Sequence, residues 1–144
     1  MKVLIFDVET TGLPIEWEAS VYDVDNWPRV VQIAWQLYDE DKKLLKEYNF
    51  IIKPDGYVIP NQASHIHNIT TAKAIEVGED IDLVLKLFIN SVNQAGLLIA
   101  HNYKFDSNVI GAELIRKGHL NVFEEKNYTC TMLETIHFCK AEGK

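Results

Sequence analysis

Apolar positions recur along this chain with two periods, alternation in its first third and helical spacing after it. Val3 to Val8 is a short apolar run, read as a buried strand that Gly12 and Pro14 bring to an end. From Arg29 to Tyr38 the pattern alternates: Val31, Ile33, Trp35 and Leu37 share one face, and Gln32 and Gln36 fall on the other. Leu44 to Lys53 alternates again, with Leu44, Tyr48, Phe50 and Ile52 in phase. The polar cluster Asp39 to Lys43 between these runs predicts the turn of an antiparallel hairpin, and Pro54-Asp55-Gly56 stops its second strand.

Helical spacing follows. Asp80 reads as the N-cap of a helix reaching about Gln94, with Ile81, Val84, Leu85, Phe88 and Val92 on one apolar face and Gly96 past its end. Asn61 to Thr71 predicts only short helical turns. Leu97 to Ala100 is another short buried strand, and a helix from near Phe105 to Gly118 turns Val109, Ile110 and Leu114 inward. Tyr128 to Thr131 predicts a last strand and Leu133 to Lys140 a last helix. A three-stranded meander followed by alternating helices and strands is a mixed α/β domain. Leu13 to Pro28 has no period; it holds Glu16, Glu18, Asp23 and Asp25 with Trp17 and Trp27, and reads as a long loop. Its tryptophans are expected to pack it onto the core, a lid over a site or a partner surface being the other reading.

A length of 144 residues suits one domain with a core of its own. The net charge of −7, with Lys and Arg scattered, argues against nucleic-acid binding by a basic stripe. Bound divalent cations remain a way to supply the positive charge a phosphate needs. Cys130 and Cys139 fit neither a zinc spacing nor a disulfide framework and are expected to be reduced, partly buried thiols. The N-terminal apolar run is too short for a signal peptide, and no stretch approaches the ~20 apolar residues of a membrane span. A soluble, cytoplasmic protein without membrane contact is expected.

Three carboxylates stand out. Asp7 and Glu9 are two residues apart on the first strand, so both point to one face. Side by side in a sheet they repel and cost desolvation, which a divalent cation offsets; hard oxygen ligands favour Mg2+ or Mn2+. If the strand ended at Phe6, both would instead be solvated turn acids. Thr10-Thr11-Gly12 follows directly, a glycine that lets backbone approach a ligand and hydroxyls that can reach a phosphate or sugar. The third carboxylate, Asp106, ends the cluster His101-Asn102-Tyr103-Lys104-Phe105-Asp106, placed after a strand where the next helix begins. Taken alone, Asp106 is also what a helix dipole favours in a first turn.

Phe6-Asp7-Val8-Glu9-Thr10-Thr11-Gly12 resembles the first motif of DEDD-type 3′–5′ exonucleases, and His101 to Asp106 resembles their second. Arg29 to Ala34 is similar to the family's second strand, and His67-Asn68-Ile69-Thr70 to a segment that often reads His-Gly-Ile-Thr. The resemblance implies a ribonuclease-H-like fold. It implies that Asp7, Glu9 and Asp106 hold two Mg2+ or Mn2+ ions, Asp7 bridging both, for hydrolysis that releases a 3′-terminal nucleotide from single-stranded DNA or RNA. It further implies substrate contacts from Thr10, Thr11, Gly12, Leu13, His67, His101, Asn102 and Phe105, with Leu13 a stacking platform rather than core. A polymerase or other protein partner would act in trans.

The family's third motif, a histidine with an aspartate five residues on, has no match. His137 and Glu142 have the spacing but lie where the elements before that motif are expected, and His119 has no carboxylate five residues on. The expectation is therefore a C-terminally incomplete domain, of the histidine subclass by its first two motifs. It would bind metal weakly, with hydrolysis severely reduced or absent. The alternative is a non-catalytic exonuclease-fold module that binds nucleic acid or a protein.

Overall fold

The computed structural model describes residues 1–139, with side chains through residue 136. Five strands form one sheet in the order β3-β2-β1-β4-β5. Strands β1 (Val3–Thr10), β2 (Val30–Tyr38) and β3 (Leu44–Ile51) are the antiparallel meander, and β4 (Leu97–Ala100) and β5 (Tyr128–Cys130) add in parallel. This is the mixed α/β sheet expected. The helices are α1 (Asn61–His67), α2 (Thr71–Val77), α3 (Ile81–Gln94), α4 (Tyr103–Arg116) and α5 (Thr131–Cys139). His137 thus lies on a helix, its side chain outside the described ones, and Glu142 lies outside the described residues. Cys130 is a buried free thiol, and Cys139 is outside the described side chains.

Alternation decides which face of β1 is core. Leu4, Phe6 and Val8 are buried, and Phe6 meets Phe88 of α3 and Tyr103 of α4 edge-on at 5.7 and 5.8 Å between ring centres. Val3, Ile5, Asp7 and Glu9 face the other way; Ile5 is 42% exposed. In β2, Val31, Ile33, Trp35 and Leu37 are buried as the period requires. Trp35 packs edge-on to Phe88, and its indole N–H donates to the Ser91 hydroxyl at 3.0 Å, so a buried polar tip is satisfied.

The strand carrying Asp7 runs through Thr10 rather than ending at Phe6, so the turn-acid alternative does not hold. Helix α2 was not among the expected elements, and α4 and α5 each start two residues before the positions expected. Helix α2 lies past the Asn61 to Thr71 stretch of expected short turns, and the Thr70 side chain caps it by accepting from Lys73 N–H at 3.1 Å. Helix α4 starts at Tyr103, since Asn102 takes the left-handed conformation (φ 63°) that turns the chain out of β4 straight into helix. Among the described residues no helix is long and apolar enough to cross a membrane.

Candidate active site

Strand β1 outruns its parallel neighbour. Its pairing with β4 ends at Ile5 with Ile99, while pairing with β2 continues to Thr10. The chain leaves β4 into α4 at that level, and the gap beside the far half of β1 is a crevice at the carboxyl end of parallel strands. Asp7 and Glu9 stand on the β1 side of it. A register shift between Glu9 and Thr10, opposite Gln32 and Val30, bends the strand end there.

The burial is distributed differently from the sequence expectation. Asp7 is exposed and Glu9 half-buried, whereas Asp106, across the crevice on α4, is 3% exposed. Burial pushes the Asp106 carboxyl up to about 8; the Asp7 charge, a hydrogen bond with Asp7 and the Glu9 charge push the same way. One of its oxygens, Oδ2, is buried without a hydrogen-bond partner. Asp7 is thus within hydrogen-bonding reach of Asp106 and Glu9 near enough for its charge to act on it, and the desolvation falls on the helical carboxyl.

A buried oxygen without a donor is costly unless something else satisfies it. An anionic oxygen set of three carboxylates is the donor chemistry of Mg2+ or Mn2+, and a cation between them would remove both the repulsion and the orphaned atom. As placed, no group of three or more His, Cys, Asp or Glu side chains among the described residues forms a ready metal cage. The residues fit a cation by the chemistry of their oxygens and by the orphaned Asp106 oxygen.

Beside the carboxylates lies a cleft of 560 Å³ walled by Glu9 to Leu13, by Pro60, Ala63, Ile66 and His67 of the α1 region, and by Phe105. That volume is in the range, roughly 300–1,000 Å³, of small-ligand sites. Leu13 is 73% exposed on its rim and so is not a core residue. A Cβ at Gly12 would meet nothing within 4 Å, so no close approach within the chain itself requires a glycine there.

Several predicted contact residues are already engaged within the chain. The Thr10 hydroxyl donates to Gly12 O at 2.7 Å and accepts from Gly12 N–H at 3.3 Å. The Thr11 hydroxyl accepts from Arg29 N–H at 3.0 Å and keeps its own proton to donate. His67 Nδ1 accepts from Ile69 N–H at 3.2 Å, which leaves Nε2–H to donate to Thr10 O at 3.2 Å. His67 thus straps α1 to the end of β1 and lines the cleft with its ring. Asn68 sits at φ 62°, a left-handed helix cap that glycine or asparagine adopts most easily. His101 is exposed and bonded through Nδ1 to the Thr131 hydroxyl at 3.0 Å, away from the cleft lining. Asn102 shapes the entry to α4 without capping it by its side chain.

Sequence reasoning passed over a buried ion cluster behind the cleft. Glu113 on α4 is fully buried and takes Arg29 in two bonds, Nε to Oε1 at 2.8 Å and Nη2 to Oε2 at 3.2 Å. It also accepts Val30 N–H at 3.2 Å. Arg116 Nη1 lies 3.0 Å from Glu113 Oε1, off the angle for a hydrogen bond, and its Nη2 binds Val24 O and Trp27 O. Tyr57 lies 4.5 Å beneath the Arg29 guanidinium and donates to Val30 O at 2.9 Å. The signal was in the sequence: Glu113 is three residues after Ile110, on the core phase of α4.

A family model described as RNase_T: Exonuclease matches residues 4–142. The fold is ribonuclease-H-like, and solved structures share it. E. coli exonuclease I in complex with a dT13 oligonucleotide superposes with a TM-score of 0.75 at 19% identity over 97% of this chain and 30% of that one. A product-bound exonuclease I gives 0.74 at 18% identity, over 99% and 33% of the two chains. An ExoI/SSB-Ct complex gives 0.73 at 19%, over 96% and 30%. The chain thus spans about a third of the length of these relatives. No curated protein matches it.

Proposed function

This chain belongs to the RNase_T exonuclease family, and from that premise we propose that it acts at the 3′ end of a single-stranded nucleic acid, removing the terminal nucleotide by metal-dependent hydrolysis. The observation that carries the proposal is the Asp106 carboxyl: buried, facing Asp7 and Glu9, with an oxygen that nothing in the chain satisfies. A structural carboxylate would be paired, as Glu113 is.

Asp7, Glu9 and Asp106 would hold Mg2+ or Mn2+, which supplies Lewis-acid activation of water and neutralises the phosphodiester. Asp106, protonated in the metal-free chain, would serve as a ligand only in its carboxylate form. The cleft beside them receives the terminal nucleotide, with Leu13 and Phe105 offering apolar surface to the base and the residue 10–13 segment its backbone. His67 bonds the Thr10 carbonyl, which ties this wall to α1. The dT13 bound to E. coli exonuclease I is a precedent for a single strand as ligand, and the ExoI/SSB-Ct complex for a protein partner in trans.

A second reading, binding without cleavage, is favoured by one observation. His67, His101 and His119 have other partners, in Thr10, Thr131 and Asp82, so none of them stands ready to work on a water at the carboxylates.

One assay separates the readings. A 5′-labelled strand, as DNA and as RNA, is incubated with the chain and Mn2+, with Asp7→Asn in parallel. A ladder shortening from the 3′ end and lost in the variant supports the exonuclease and chooses the sugar. Metal-dependent binding with no ladder supports the second reading, and absence of both binding and cleavage sinks the two together.

A further inference from the structure

The 13–28 loop is fastened at one end and presented at the other. Asn26, buried, holds the Glu16 backbone from both sides: its Oδ1 accepts Glu16 N–H at 2.7 Å and its amide donates to Glu16 O at 2.9 Å. Trp27 is 3% exposed and donates its indole N–H to Ser20 O at 3.0 Å, so it packs the loop onto the core as the sequence suggested. Trp17, immediately after the anchored Glu16, departs from that expectation. It stays 44% exposed and leans on Phe105 with ring centres 5.6 Å apart at 46°. Phe105 lines the cleft, so Trp17 continues the cleft's aromatic wall outward.

The adjacent residues carry charge. Lys104 precedes Phe105 in the first turn of α4, and its ammonium is 2.6 Å from the Glu18 carboxylate. The pair is exposed, 52% on the lysine and 86% on the glutamate, where such contacts are weak and exchangeable. An aromatic face and a cation side by side, continuous with the cleft, are the two recognition elements of a single-stranded nucleotide: a ring for the base and a charge for the phosphate.

Resting on the reading of the cleft as the seat of a 3′-terminal nucleotide, we propose that Trp17 and Lys104 form a second subsite for the next nucleotide inward. Its base stacks on the open face of Trp17. Its phosphate takes Lys104 from Glu18. Glu18 in the free protein then acts as a stand-in for the phosphate, holding Lys104 and the loop in the bound arrangement. In a chain of net charge −7 the stand-in also keeps the cation from being captured by the site's own carboxylates.

The test is a pair of titrations without hydrolysis, with Ca2+ present: thymidine monophosphate, which fills only the cleft, and a labelled dT10, which reaches both subsites. Trp27 and Trp35 are buried, so quenching of tryptophan emission by dT10 reports chiefly on Trp17. Trp17→Leu should lose the quenching and weaken dT10 roughly tenfold, the scale of one base–aromatic stack, while leaving the monophosphate within twofold; Trp17→Phe should recover most of the dT10 affinity. Lys104→Gln should weaken dT10 and flatten its salt dependence, and Glu18→Gln should tighten dT10 at low salt. Equal dT10 affinity in wild type and Trp17→Leu overturns the subsite. So does equal weakening of both ligands. Failure of the wild type to bind either ligand overturns the reading of the cleft instead. Circular dichroism of each variant guards against a folding defect, which at these exposed positions is not expected.

Discussion

Asp106 and Asp7 come from a helix and a strand that do not pair, and their carboxyl groups meet within hydrogen-bonding reach across the crevice where β1 has outrun β4. The consequence is a proton held on Asp106 at neutral pH, its carboxyl pushed up to about 8 first by burial and then by the Asp7 charge. A group raised in the folded state contributes stability that is present below its unfolded value, near 3.8, and lost as pH rises through about 8. The metal-free chain is expected to melt lower at pH 9 than at pH 5, and Asp106→Asn to flatten that fall by roughly 5 °C or more. Because a cation held by these carboxylates would require Asp106 without its proton, stabilisation by Mn2+ should be larger at pH 8 than at pH 5.5. Differential scanning fluorimetry across pH, with and without Mn2+, reads both; the same pH profile in wild type and Asp106→Asn would refute the assignment.

Leu13 is a surface residue on the rim of the cleft. Leu13→Ala should change unfolding free energy by no more than about 0.5 kcal/mol, as for ordinary surface positions, yet weaken thymidine monophosphate by roughly tenfold. Urea denaturation and a binding titration on one preparation suffice. A large stability loss would return Leu13 to the core.

His67→Ala removes the strap between α1 and the end of β1. Two hydrogen bonds, to Thr10 O and from Ile69 N–H, are lost from a half-buried ring, for an expected cost of about 1–2 kcal/mol. The monophosphate should bind more weakly too, since one wall of the cleft is freed. Unchanged affinity with reduced stability would make His67 a purely structural residue.

Arg29→Met strips the buried Glu113 of its two-point partner. Breaking one side of such a pair leaves a charge in the interior and is expected to cost about 3 kcal/mol or more. Arg29→Lys should recover little, because an ammonium cannot reproduce the two-pronged geometry. The midpoint of urea unfolding measures both, and a small effect in Arg29→Met would mean Arg116 alone can hold Glu113.

What the sequence made legible follows from what is local. The alternation of Val31 to Leu37 and the three-and-four spacing of Ile81 to Val92 are fixed within a few residues, so β2 and α3 match their expected bounds closely. The two-residue interval from Asp7 to Glu9 likewise placed both carboxylates on one face. The expectation that the strand pair would bear the burial was wrong, because the depth of a side chain depends on how far β4 extends beside β1, and pairing length has no local signature. Helix α2 was not foreseen at all: its signals are a cap, Thr70, and one buried alanine, Ala74, behind it. His67 and the two threonines looked free to meet a ligand because their in-chain partners lie on other segments or in turn geometry invisible to spacing.

The reciprocal bonds between Thr11 and Arg29, N–H to O in one direction at 3.0 Å and hydroxyl from N–H in the other at 3.0 Å, join the cleft wall to the residue that neutralises Glu113. Arg116 brings the end of the 13–28 loop into the same set through Val24 O and Trp27 O. The cleft wall, the far end of that loop and the middle of α4 therefore cannot fray one at a time; opening any of them exposes a charge that the others are holding. In hydrogen exchange they should behave as a single cooperative unit, with Trp17 and Glu18, tied only through the Phe105 contact and the exposed Lys104 pair, outside it.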